Sequence, residues 1–175
     1  MNQRLIAIAG FMGSGKTTVA RALADLLGCE ALDLDESIAG GEQRDPKEII
    51  EQDGEDKFRQ IETRALSELL RKDAAGVVAL GGGTWTIPAN RKLLAEHGAI
   101  TIWLDAAFEL CWTRIEATRR RRPLAPSEEA ARERYQERFG IYALADFRVG
   151  ITETESADQT ARRIAALISP DSANS

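Results

Sequence analysis

At 175 residues the chain has room for one compact domain, which would bury roughly two-thirds of its unfolded surface. Net charge is −5 and the pI near 5.1, which argues against wholesale binding to nucleic acid or anionic membranes while leaving room for a local basic cluster. Composition is ordinary for a soluble protein, and no stretch looks like a membrane span or a cleaved leader, so a cytoplasmic location is predicted. Cys29 and Cys111 lie far apart without metal-ligand spacing, and both read as small buried apolar side chains in a reducing compartment.

Leu5–Ala9 is a short apolar run ended by glycine, the pattern of a buried parallel strand. Lys16–Leu27 carries Val19, Leu23, Leu26 and Leu27 at helical spacing, and Gly28 can close that helix. Glu30–Leu34 reads as a second strand. Pro46–Leu70 reads as two helices split near Gly54. Val77–Leu80 is a further buried strand, ended by Gly81-Gly82-Gly83. Pro88–His97 is helical, Ile100–Leu104 a strand, Phe108 to about Arg119 a helix, and Arg132–Leu144 another. Phe147–Ile151 is the last strand and Ala157–Ile168 the last helix, with Ser156 as its N-cap. Continuous apolar strands alternating with helices predict a parallel sheet covered on both faces, an α/β three-layer sandwich. One domain over residues 1–168 accounts for the chain, with a flexible tail over 169–175.

Gly10-Phe11-Met12-Gly13-Ser14-Gly15-Lys16-Thr17 fits Gly-x-x-x-x-Gly-Lys-Ser/Thr at every fixed position. Its glycines let the backbone curl so that successive N–H groups point at one anion, and the following helix adds its positive end. Lys16 offers charge to the β- and γ-phosphates of a nucleotide, and the Thr17 hydroxyl can ligate Mg²⁺. The setting between a strand and a helix is what such a loop requires. Downstream, Asp33-Leu34-Asp35 places two carboxylates at alternate positions of a strand end, so both point the same way, toward the ligand-binding edge of a parallel sheet. One can hold the metal's shell and the other can accept a hydrogen bond or proton from a hydroxyl. N-capping by Asp35 ahead of Glu36 is the structural alternative.

Three further segments stand in order behind these: Gly54-Glu55-Asp56-Lys57-Phe58-Arg59-Gln60-Ile61-Glu62, Gly81-Gly82-Gly83 and Arg122-Pro123-Leu124. Together with Gly10–Thr17 and Asp33-Leu34-Asp35, they resemble the shikimate kinase family over nearly the whole chain. The resemblance implies a P-loop fold with a five-stranded parallel sheet, a substrate-binding region near residues 36–62 and a lid about residues 114–126. It implies that Gly13, Ser14, Gly15, Lys16, Thr17 and Thr18 cradle ATP, and that Thr17 and Asp33 organise Mg²⁺. It also implies that Asp35, Arg59, Gly82 and Arg138 bind shikimate and that Arg122 reaches the phosphates from the lid. Shikimate carries one carboxylate and three hydroxyls, so arginine forks, a hydroxyl acceptor and a close backbone turn are the right chemistry. Lys16, Asp35 and Arg122 are then the catalytic set, with Asp35 either deprotonating the hydroxyl or only orienting it. A monomer is expected, acting on small molecules without nucleic acid or membrane partners.

Each assignment has a structural counterpart. On spacing alone Arg59 reads as an ion-pair residue between Glu55 and Glu62, and the glycine triplet as a tight turn. The run Arg119–Arg122 reads as a solvated basic lid, Trp85 as core filling, and His97 as a helix-end residue. Arg114 is a candidate for packing on the adenine. Gly140 and Ile141 replace the Pro and Leu more usual in the family, which loosens the aim of Arg138, and Glu155-Ser156 stands where a basic nucleotide-facing residue is common. A P-loop kinase acting on a nucleoside monophosphate or a sugar acid such as gluconate is the nearest rival. A GTP-dependent switch is disfavoured because Asp73-Ala74-Ala75-Gly76 precedes a strand and no Asn-Lys-x-Asp occurs. Lys16→Met is expected to abolish nearly all turnover while circular dichroism stays that of the parent. Activity within about tenfold of the parent would contradict a role worth several kcal/mol in the transition state.

Overall fold

The computed structural model describes residues 4–72, 76–118, 124 and 126–169. Ile6–Gly10 forms strand β1, buried along its whole length because both faces of its sheet are covered. Side chains alternate between the faces, so Ala7 and Ala9 join one core with Leu34, Leu66 and Leu94, while Ile6 and Ile8 join the other with Leu23 and Ile164. β1 lies between β3 (Gly76–Ala79) and β4 (Ile100–Ala106); β2 (Glu30–Asp33) flanks β3 and β5 (Phe147–Ile151) flanks β4. The order β2-β3-β1-β4-β5 is parallel throughout, with Ile8 opposite Ala79 on one side and Ile102 on the other.

One face carries α1 (Lys16–Leu27) and α8 (Ala157–Ile168). Gly28 closes α1 at φ 67°, and Ser156 caps α8 in a reciprocal pair with Gln159. The other face carries α2 (Leu34–Glu42), α3 (Pro46–Asp53), α4 (Glu55–Arg71), α5 (Pro88–Glu96), α6 (Phe108–Ala117) and α7 (Glu128–Tyr142). This is the expected three-layer sandwich around a five-stranded parallel sheet. The reversal of strand order lies between β3 and β4, on either side of β1, so the loop after β1 opens at the ligand-binding crevice of the sheet.

Several expectations need correction. β2 ends at Asp33, and Asp35 lies in the first turn of α2, so the two carboxylates do not share strand alternation. The cap of α2 is Asp33, whose Oδ1 accepts from the backbone N–H groups of Asp35 (2.9 Å) and Glu36 (3.3 Å); Asp35 is not the cap. α7 starts a turn earlier than Arg132, because the Ser127 hydroxyl caps it by accepting from the Ala130 N–H. Cys111 is buried, but Cys29 is only half-buried. Of the expected tail only Ser169 is described, and of the lid only residues 114–118, 124 and 126.

Candidate active site

The loop between β1 and α1 bends as its sequence requires. Gly13 (φ 80°) and Gly15 (φ 96°) adopt left-handed backbone, and a Cβ on Gly13 would come within 2.5 Å of the Cys111 carbonyl oxygen in α6. The ring of Phe11 anchors the loop from below, meeting Tyr135 edge-on at 5.2 Å between centroids. Lys16 reaches back across the loop to donate to the Phe11 carbonyl at 2.9 Å. Ser14 is buried, whereas Thr18 is exposed on the first turn of α1. Arg114, on α6, donates to the carbonyls of Gly13 (3.3 Å) and Ser14 (3.4 Å), a clamp on the loop that no spacing in the sequence announced.

Thr17 donates its hydroxyl to Asp33 Oδ2 at 2.5 Å. Asp33 thus does two things at once: one oxygen caps α2 and the other engages the first turn of α1. It links the phosphate loop to the helix that bears Asp35.

Beside this junction lies a cavity of about 680 Å³ whose walls include Asp35, Arg59, Glu62, the triplet Gly81–Gly83 and Arg138, with Phe58 and Ile50 as apolar surface. The four residues expected to bind the acceptor therefore meet in one place, contributed by α2, α4, the turn after β3 and α7. Arg59 donates to Glu55 (2.9 Å) and to Glu62 (2.8 Å), so both outer nitrogens of its guanidinium are engaged. Glu62 is 0% exposed and is also held by the Thr84 hydroxyl at 2.5 Å. Burial opposes the charge on Arg59, but Glu62 and Glu55 overcome it and hold the pKa above its ordinary value. The ion-pair reading of Arg59 and its place in the cavity are both correct.

Arg138 differs. It is 7% exposed and donates to the Gly82 carbonyl at 3.0 Å, but among the described residues no carboxylate lies within ion-pair distance of it. Burial lowers its pKa, and the like charges of Arg59 and Arg134 add to the effect. The Gly82 carbonyl also accepts from the Tyr142 hydroxyl, whose pKa burial pushes up to about 12. These two donors pin the glycine turn against α7 despite Gly140 and Ile141 in the segment between Arg138 and Tyr142. Trp85 fills core at 4% exposed, its indole N–H donating to the Ile141 carbonyl, and His97 caps the end of α5. Leu124 lines the cavity, and Arg122 lies outside the described residues.

A glycine-bent phosphate loop at the sheet's switch point, beside a cavity walled by arginines and carboxylates, defines a P-loop phosphotransferase. The shikimate kinase family model matches residues 12–169. A shikimate kinase of Ruegeria pomeroyi is 35% identical over 167 residues, covering 94% of this chain and 85% of that protein. The solved shikimate kinase of Acinetobacter baumannii, in complex with shikimate, superposes with a TM-score of 0.87 at 36% identity, over 94% of this chain and 92% of that one. The enzyme from Aquifex aeolicus gives 0.79 at 27%, over 93% and 94%. The chain belongs to the shikimate kinase family. It is a kinase with ATP as co-substrate.

Gly83 packs directly on the Arg59 guanidinium, leaving no room for a Cβ. Glu55 and Glu62 hold that guanidinium in place, so the Cβ of Gly83→Ala must push Arg59 out of position. We expect KM for the acceptor to rise about tenfold or more while KM for ATP stays within about twofold. An unchanged acceptor KM in steady-state kinetics would show that the aim of Arg59 is unimportant.

Proposed function

We propose that the enzyme transfers the γ-phosphoryl group of ATP to a hydroxyl of shikimate, giving shikimate 3-phosphate and ADP for aromatic biosynthesis. The observation that carries this reading is Arg138, a buried cation on the cavity wall without an acidic partner among the described residues. A desolvated charge left unpaired is costly, and an acceptor carboxylate supplies what is missing. Arg59, oriented by Glu55 and Glu62, adds a second cation, and the glycine turn brings backbone close to the ligand. Asp35 is set to receive a hydroxyl from the cavity's α2 wall, orienting it or taking its proton during attack on the γ-phosphorus.

Loop N–H groups of Gly13 and Gly15, with the N-terminus of α1, hold the ATP phosphates, joined by Ser14, Lys16, Thr17 and Thr18; the Ser14 N–H itself donates to the Phe11 carbonyl at 3.2 Å. Lys16 offsets charge on the transferring group, and Arg122 joins it from the lid. The Thr17 hydroxyl and Asp33 carboxylate, already in contact, are hard oxygen donors that fit Mg²⁺. Mg²⁺ when bound would neutralise phosphate charge. The enzyme is read as a cytoplasmic monomer acting on two small molecules, without nucleic acid or membrane partners. No described helix is long and apolar enough to cross a membrane, and the chain's net charge is −5.

The test is ADP release with ATP, Mg²⁺ and a panel of shikimate, gluconate and nucleoside monophosphates, followed by a cycle on the preferred acceptor. Arg138→Lys keeps the charge but loses the planar fork, and should cost roughly 1.5–3 kcal/mol, about ten- to a hundredfold in kcat/KM. A shikimate analogue with its carboxylate reduced to an alcohol should lose a similar factor with the parent enzyme and much less with Arg138→Lys. Strictly additive losses, or preference for gluconate or a nucleotide, would overturn the assignment.

A further inference from the structure

Arg59 has two carboxylate partners of unlike character. Glu62 is fully buried and fastened by Thr84, so it cannot leave. Glu55 has 36% of its side chain exposed, and its Oε1 is shared: Arg59 donates to it at 2.9 Å and Arg134, on α7, at 3.4 Å. Arg134 is one helical turn before Arg138, on the same side of α7, and does not itself line the cavity. On the α4–α7 side of the cavity, three guanidiniums (Arg59, Arg134 and Arg138) therefore stand with two carboxylates (Glu55 and Glu62), while Asp35, Glu36, Asp45 and Lys47 line it from α2 and the start of α3. That side carries one surplus positive charge, the sign that attracts a carboxylate. Without Arg134 the same wall would be neutral, and Glu55 would fall wholly to Arg59. The acidity of Glu55 reflects this sharing: burial opposes its charge, yet Arg59, Arg134 and Arg138 together hold its pKa below the ordinary value.

We infer that Arg134 is a positioning residue for the acceptor: by sharing Glu55 with Arg59, it leaves the Arg59–Arg138 wall with the net positive charge that receives the substrate carboxylate. It acts through Glu55 and touches no substrate atom. The inference rests on the reading of the acceptor as a carboxylate, and the sign of its epistasis separates it from a packing role. Removing Arg134 should weaken acceptor binding, and then removing the Glu55 charge should restore it, because the wall regains its surplus. A contact needed only to hold α7 against α4 would instead lose more with the second change.

The experiment measures kcat and KM for shikimate at saturating ATP in the parent, Arg134→Gln, Arg134→Lys and the double variant Glu55→Gln/Arg134→Gln. Melting temperatures and calorimetric binding of shikimate without nucleotide accompany the kinetics. Arg134→Gln should raise KM about five- to tenfold with kcat within about twofold, as for one partly screened charge near an anion site. Arg134→Lys should stay within about twofold of the parent, and the double variant should recover most of the lost KM. Unchanged KM in Arg134→Gln, or a deeper defect in the double variant, overturns this inference alone while shikimate turnover by the parent still stands. Should Arg134→Gln melt early, the double variant decides through its own calorimetric affinity: near-parent binding supports the charge balance and weak binding overturns it. A parent enzyme that does not phosphorylate shikimate overturns the acceptor assignment and this inference with it.

Discussion

Arg138 is held 7% exposed against the Gly82 carbonyl, with no carboxylate within ion-pair distance among the described residues, and much of the proposed acceptor site is arranged around that charge. A buried guanidinium loses the hydration that stabilises it in water, and one neutral carbonyl returns only part of that. The fold keeps it in place by covalent and packing constraints. Tyr142, one turn along α7, is buried, stacks on Trp103 and fixes the same carbonyl. The glycine turn is pinned from the other side by the Thr84 N–H donating to the Gly81 carbonyl and by the buried bonds among Glu62, Thr84 and Asn90. The charge therefore faces a cavity it cannot leave, and on the proposed reading an anionic ligand completes its coordination.

The nucleotide side depends on a different economy of contacts. Asp33 spends one oxygen on capping α2 and the other on Thr17, so the helix that carries Asp35 is registered to the phosphate loop through a single side chain. Phosphoryl transfer requires the attacking hydroxyl and the γ-phosphorus to be placed within a fraction of an ångström, and little covalent help. A shared carboxylate between the two binding regions is a direct way to tie their positions together. Arg114 supports the loop by clamping the Gly13 and Ser14 carbonyls.

The parallel sheet and its helices were legible because buried strands are continuous apolar runs and amphipathic helices repeat at 3.6 residues. The phosphate loop was legible because only glycine tolerates φ 80° and 96° at Gly13 and Gly15, so geometry is written as composition. The end of β2 was not, because Asp-Leu-Asp suits a strand end and a helix start equally; which aspartate caps is settled by the turn's path, and Asp33 won. The start of α7 was missed by a turn because Ser127 and the polar Glu128–Glu129 pair carry no apolar period. Arg59 shows the limit on the site. Spacing gave its two glutamates, but the complete burial of Glu62 and the approach of Arg134 from α7 are tertiary facts with no local signature. Cys29 is half-buried for the same kind of reason, since it follows the Gly28 cap where the chain turns toward the sheet's edge strand.

The most direct measurement is thermal unfolding of Arg138→Met beside the parent, each with and without shikimate. Methionine keeps most of the volume and removes the charge, and the Gly82 carbonyl keeps its bond from Tyr142. If Arg138 is an unpaired buried cation retained for ligand binding, the unliganded variant should melt at or above the parent. Shikimate at about a hundred times its Kd should raise the parent's Tm by roughly 5–10 °C, from about 2.7 kcal/mol of binding linkage, and leave the variant's unchanged. A variant that melts well below the parent without ligand, yet keeps the full shift with it, would mean that Arg138 holds the fold together and does not receive the substrate.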